Sequence, residues 1–519
     1  MDDEAKRDYE TPRDYDVPPH ERKHVRYPAA LNVSQSAPKL SFGNIDEAAG
    51  LTVEDAARVQ ALLEVFDNVH DRNARIMKYY NQDVTLPDVN MGFALDERLA
   101  RTLDVRCGWP AKAVSCLVTR SVFDGFVSTD EYVAEDLRQI VRDNQLVQAY
   151  NRARFSEATL GVTFATLSWD EHYRARIRFH TAQTAAGVWD GTRARIAYGM
   201  AVIDSARYNG EFMYRPSIVN LYTDEATVVL TRVDSENWEA RYVANQLGRP
   251  MMEPLIHNPT DQKPFGSSRV TKTVMATTDE AIRTLGRMAM ASELFTYPQK
   301  YLLGLTDELV ANLDSFALAM NRIIKLGANP ETGANPDVRQ MQASSMEPHI
   351  TVLRSLATTF AGETACPVSE LGIIQDNPSS AEAILASKEA LITLVESFNA
   401  ANSVSLYNIG RMALALNHNV SLDSLYDSFN EFEPHFKSPT LASMVAQADV
   451  VTKIAAVDPE FAGTDTFYAL MGIDGATIQQ IQSEKAANRG KKLLEQLLAE
   501  PDTTRDEEED TDEEVAEDE

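Results

Sequence analysis

"QDNPSSAEAILASKEALITLVESFNAAN", Gln375–Asn402, opens with a helix start signal and then runs for several turns without a breaker. Pro378 stops whatever precedes it, Ser379 offers a side-chain oxygen to the first free amides, and Glu382 three residues on completes a capping box. Ile384, Leu391, Leu394, Val395 and Phe398 recur at helical spacing, and the proline-free run continues through Leu406, Ile409, Met412, Leu414 and Leu416. At about 1.5 Å per residue an unbroken helix here would be a rod of roughly 50 Å or more. The alternative is an ordinary core helix of a large helical domain, broken near Gly410.

The surrounding chain has 519 residues, 44% hydrophobic and 24% charged, enough to bury a large core in roughly three or four domains. Cys107, Cys116 and Cys366 lie far from any CxxC spacing, which argues against a zinc knuckle or a disulfide framework; they are expected to be buried thiols of a reducing compartment. "MDDEAKRDYETPRDYD" lacks the apolar core of a signal peptide, and no run approaches the ~20 apolar residues of a membrane span. Neither export nor a membrane partner is expected.

The formal charge is −29 and unevenly placed. Pro501–Glu519 holds twelve acids against Arg505 and almost nothing apolar, so it is expected to stay disordered, either engaging a basic partner or serving as a solvated tail against aggregation. The remaining −18 still leaves an acidic body, which cannot supply the counterion release that drives tight duplex binding. If this chain handles DNA, it does so without holding it.

Residues 1 to 50, rich in Pro, Asp, Arg and Tyr, read as an extended arm. A helix is expected from Thr52 to about Tyr80, a short helix running into a strand over Trp109–Phe126, and a helix over Tyr132–Phe155. From 160 to 243 the period changes: "LGVTFATLSW", "YRARIRFH", "TRARIAYGMAVID", "MYRPSIVNLY" and "ATVVLTRV" alternate between turn residues, the pattern of antiparallel strands. Arg174, Arg176 and Arg178 share one face of such a strand; a half-buried strand with a solvated face explains them better than a nucleic-acid stripe. Beyond Val270 the chain turns helical: a helix over about 271–294, a break at Pro298, a short strand-like run, the turn-rich "IIKLGANPETGANPDVRQMQ", a second helix after Pro348, and then the capped long helix.

No phosphate loop is present, since "ANRGKKLL" has Lys485 where the first glycine belongs, and HExxH, GxSxG and GxGxxG do not occur. His257 and His349 stand alone, and Asp279–Glu280 sits on an amphipathic helix whose solvated face accounts for it. No catalytic, cofactor or metal constellation emerges. An enzyme with a site assembled from distant residues is the remaining enzymatic alternative.

The order of elements, with "YYNQDVTLPD", "WPAKAVSCLVTRSVFDGF", "PFGSSRVTKTVMATTDEAIRTLGRMAMASELFTYPQKYLLG" and "LATTFAGETACPVSELGIIQDNPSSAEAILASKEALITL", resembles the portal proteins of tailed double-stranded DNA phages, especially siphophages of actinobacteria. The resemblance covers most of 55–415. It implies an α+β, portal-like subunit: after the arm (1–50), an α/β wing (51–263), a first stem helix (264–295), a small clip (296–345), a second stem helix (346–365), a tunnel loop (366–378), a spine helix (379–416), C-terminal wing and crown helices (417–498) and an acidic tail (499–519). It further implies a non-enzymatic subunit of a ring, typically of twelve, at a capsid vertex of the virion, assembled in the host cytoplasm. Double-stranded DNA passes through such a ring in both directions; its partners are the terminase large subunit, a head-tail adaptor, and the capsid and scaffolding proteins.

On the matching positions, the resemblance makes Pro367, Val368, Ser369, Glu370, Leu371, Asp376 and Asn377 the DNA-facing loop, with Ser379 and Glu382 capping the spine. A loop with Glu370 and Asp376 and no Lys or Arg would repel phosphate, letting DNA slide. Arg283, Arg287 and Lys300 are candidate channel cations. The rival to the portal reading is another virion structural or adaptor protein, which would lack a clip between two stem helices.

Overall fold

In the computed structural model, which describes residues 39–89, 104–207, 214–296, 300–303, 337–340, 345–372, 381–439, 444–473 and 475–499, the first long helix begins where a cap is written. The Asp55 amide donates to the Thr52 hydroxyl oxygen (3.2 Å), and helix α1 runs Val53–Tyr80, burying Val59, Leu62, Phe66 and Ile76. Within the stretch expected as an extended arm, residues 39–50 pack: Phe42, Ile45 and Ala48 join a core with α1. The Arg232 guanidinium donates to the carbonyls of Ser41, Phe42 and Pro216, and the Trp238 indole donates to Phe42 (2.7 Å), stapling this strap down.

Helix α2 (Trp109–Val118) turns into strand β1 (Val122–Ser128). The helix expected over 132–155 is two, α3 (Glu131–Asp143) and α4 (Leu146–Leu160). Gln145 between them takes a left-handed conformation (φ 47°), and Asn144 is spent on a strand: its Nδ2 donates to the Ala175 carbonyl while its Oδ1 accepts from the Ile177 amide.

The alternating runs form β2 (Val162–Trp169), β3 (Ala175–Thr181), β4 (Ala185–Asp190), β5 (Arg195–Arg207), β6 (Tyr214–Tyr222), β7 (Ala226–Arg232) and β8 (Trp238–Ala244). They are antiparallel, but they make two sheets: a five-stranded meander β4-β5-β6-β7-β8, and a three-stranded sheet β3-β2-β9 whose last strand is Met252–Ile256. Arg176 and Arg178 are exposed while Ala175 and Ile177 are buried; Arg174 pairs with Asp143 (3.0 Å) and Arg176 with Asp170 (3.2 Å), a solvated face.

Helix α5 (Lys272–Thr296) packs along helix α6 (Glu347–Thr364). Between them in sequence, β10 (Lys300–Leu303) and β11 (Asp337–Gln340) pair antiparallel, Lys300 opposite Gln340. Helix α7 spans Ala381–His418, about 57 Å at 1.5 Å per residue. It passes Gly410 unbroken, because that glycine is a packing device: a Cβ there would meet the Phe432 ring at 2.8 Å. Strand β12 (Phe432–Lys437) then returns to pair with β1.

The described residues beyond 439 form a second compact unit. It holds α8 (Met444–Val457), α9 (Asp465–Leu470) and α10 (Gly475–Ala499). Among the described residues no helix is long and apolar enough to cross a membrane.

Candidate functional site: the loop base and the long helix

Where α6 ends, Ala365 turns the chain through a left-handed conformation (φ 50°), and Val368–Leu371 winds into a single 3-10 turn closed by Gly372 (φ 80°). Helix α2 seats this segment by three ties. The buried Arg269 guanidinium donates to the Ala113 and Thr364 carbonyls at 2.5 Å each, bridging α2 to the end of α6. Burial lowers the Arg269 pKa to about 10, still leaving it charged at neutral pH. Lys112 pairs with Glu370 at 2.8 Å, and that hydrogen bond holds the Glu370 carboxyl below its usual range.

The third tie is a disulfide between Cys116 and Cys366, whose Cα atoms are 6.1 Å apart. This overturns the expectation of three thiols: residues 250 apart in sequence are brought together by the docking of α2 on the loop base. Cys107 alone is a buried thiol, its pKa pushed up to about 11 by burial and so unreactive.

The disulfide sits in a small satellite core with Leu117, Leu391, Val395 and Phe398, which is the seat of the leading half of α7. The trailing half is gripped differently. Asn402 Nδ2 donates to Glu157 (3.1 Å), the Ser405 hydroxyl to the Pro254 carbonyl (2.7 Å), and Asn408 Nδ2 to Glu253 (2.7 Å). Glu253 is also ion-paired with Arg249, with both side chains nearly buried. Asn417 Oδ1 accepts from the Ala175 amide (2.7 Å), and His418 meets Asp136 at 2.7 Å. Burial raises the pKa of Glu157 well above the usual carboxylate range and raises that of Glu253, the Arg249 charge opposing it in the second case.

This arrangement is mechanical. Polar side chains at 402, 405 and 408, three residues apart on one face, key the long helix to β9 and α4 at a single register, since a shift would strand buried polar groups. Among the described residues no three His, Cys, Asp or Glu side chains converge as metal ligands. His180 is buried and His257 half-buried, and desolvation lowers the pKa of each to about 4.

The residues expected at the loop divide. Ser369 and Glu370 are exposed and Val368 is half-buried, but Pro367 is buried and half-buried Leu371 packs against the main core. Glu370 is neutralised by Lys112, so it does not supply the unpaired repulsive charge expected of it. Asp376, Asn377, Ser379 and the Glu382 side chain lie outside the described residues. Arg283 is spoken for by Glu280 (2.6 Å), Arg287 is exposed on the same helix, and the Lys300 side chain is outside the described set. Sequence reading missed Lys112, Arg269 and the Asn402–Ser405–Asn408 ladder. Only the ladder left a signal, polar residues every third position inside an apolar helical run.

No family model matches the chain. It is 25% identical to the portal protein of Mycobacterium phage L5 over 421 residues, 78% of this chain and 82% of that one. It is 27% identical to the portal protein of Mycobacterium phage D29 over 252 residues, 45% and 48% of the two chains. Among solved structures, chains from the neck of the native GTA particle (C12 symmetry) and of the empty GTA particle (C6 symmetry) align over 70% and 71% of this chain and 90% of theirs. Their identities are 13% and 14% and their TM-scores 0.36 and 0.39, too distant to assign the fold. By sequence, this chain is similar to the portal proteins of these two mycobacteriophages.

Proposed function

We propose that this chain is the subunit of a phage portal vertex, closing into a cyclic ring of about twelve copies through which double-stranded DNA enters the capsid and later leaves. The observation that carries the reading is the similarity to a curated portal protein over four fifths of that protein's length. The described topology agrees with it: paired helices α5 and α6 bracket a segment whose described parts are the β10–β11 ribbon, and α6 leads through a clamped loop base toward a 38-residue helix.

In this reading α5 and α6 are the stem, residues 296–345 the clip, 366–378 the channel loop and α7 the spine. The terminase docks on the clip side and an adaptor replaces it after packaging. Ser369 and Glu370 face the channel, whereas Pro367 and Leu371 are footing. With Glu370 paired, low friction on DNA rests on Asp376 and on the acidic charge of the subunit, and Arg287 is the exposed stem cation that balances it.

Native mass spectrometry and negative-stain imaging of the purified full-length chain test the ring, with quantitative proteomics of purified phage particles as the second arm. A closed ring with a central hole, and on the order of a dozen copies per particle, are the expected results. Absence of the chain from purified particles would overturn the assignment.

A further inference from the structure

The Cys116–Cys366 bond joins two elements far apart in sequence at the point from which the loop departs. Cys366 lies two residues past the end of α6, and Cys116 is in the last turn of α2. Both are buried, among the residues that seat the leading half of α7. The two other ties across this junction are non-covalent: the Arg269 bridge, and the Lys112–Glu370 pair, whose side chains are 38% and 40% exposed and contribute little. Of the three ties, the covalent one alone is made or broken by the redox milieu, so it is the one through which that milieu can alter how tightly the segment 365–372 is held to α2. Cys107, the remaining cysteine, is buried with its thiol pKa raised and does not compete for exchange.

We propose that Cys116 and Cys366 form a reversible oxidation site that sets the stiffness of the loop base: a dithiol with a looser base in a reducing milieu, a disulfide with a clamped base in an oxidising one. The co-reactant is a low-molecular-weight disulfide such as oxidised glutathione. One protein thiolate attacks it, forming a mixed disulfide and releasing one glutathione thiolate. The second protein thiolate then attacks the protein sulfur of that mixed disulfide, forming the Cys116–Cys366 bond and releasing the second glutathione. The protein loses two protons and two electrons, and the glutathione disulfide gains them. Burial makes the exchange wait on local opening, so it runs over minutes to hours. The site rests on the placement of the two sulfurs and not on the portal reading.

The test uses the full-length protein equilibrated overnight in reduced or in oxidised glutathione, then peptide mapping and hydrogen–deuterium exchange by mass spectrometry. The oxidised sample should yield the linked Cys116–Cys366 peptide pair, and amides in 365–372 should exchange about tenfold more slowly than in the reduced sample. The double variant C116S/C366S should exchange like the reduced wild type in both buffers, which separates the bond from any effect of the buffer. Failure to recover the linked peptide pair after oxidation would overturn the proposal, and so would recovering it with unchanged exchange in 365–372. Neither result bears on ring formation, which is read separately.

Discussion

The two halves of α7 are held by different physics. From Leu406 to Leu416 the helix is buried on nearly every side, with Leu406, Ile409 and Met412–Leu416 in the main core and polar keys fixing its register. From Leu391 to Phe398 only one stripe is buried, Leu391, Val395 and Phe398, while Leu394 is 40% exposed. One end is thus set into the main core and the other rests on a small seat beside the loop base. A helix anchored at one end and lightly seated at the other should yield first at its leading half.

Breaking the anchored half should have the largest effect. Arg249→Met leaves Glu253 buried without its cation beside Asn408, and a loss of ~3–5 kcal/mol is expected in urea unfolding of the first compact unit. Next comes a pair of glycines with opposite signs. Gly410→Ala drives a methyl into the Phe432 ring and should cost about 1–3 kcal/mol. Gly362→Ala on α6, where a Cβ meets nothing within 4 Å, should gain about 0.5–1 kcal/mol. Equal midpoints for the two alanine variants would mean that Gly410 is not a packing position.

The carboxylates at the two ends should differ in the sign of their pH dependence. Glu157, whose pKa is raised by burial, favours the native state below its ordinary value of 4.5 and loses that contribution as pH rises through the folded value. Glu157→Gln should therefore gain on the wild type as pH rises from about 4.5 toward 8 in urea midpoints. Glu370, whose pKa is lowered by Lys112, contributes above 4.5 and loses that as pH falls through its folded value. Its pair is well exposed, so Lys112→Met should cost no more than about 1 kcal/mol at neutral pH, less in high salt. A Lys112→Met loss as large as that of Arg249→Met would erase the contrast between the halves.

Much of this was legible in the chain. Thr52 and Asp55 mark the start of α1, the alternating runs from 160 to 243 mark antiparallel strands, and the long helix was readable from its spacing, because local hydrogen bonds and side-chain periodicity act within a few residues. Other features were hidden. Asn144 ends α3 because its carboxamide serves β3, a partner 31 residues away, and Asn417 closes the same strand from 242 residues away. Gly410 looked like a breaker because glycine weakens an isolated helix; here a ring from β12 fills the space its missing side chain leaves.

By itself the sequence determined where helices and strands form, that the chain is acidic and free of familiar catalytic motifs, and that it resembles phage portals. Only the tertiary structure decided that the strands divide into two sheets, that Glu370 is neutralised by Lys112, that Cys116 meets Cys366, and which polar residues of α7 are keyed into place. The physical reason is the same in each case. Propensity and periodicity are local, whereas a salt bridge, a disulfide or a buried hydrogen bond depends on which distant residue packing delivers within a few ångströms.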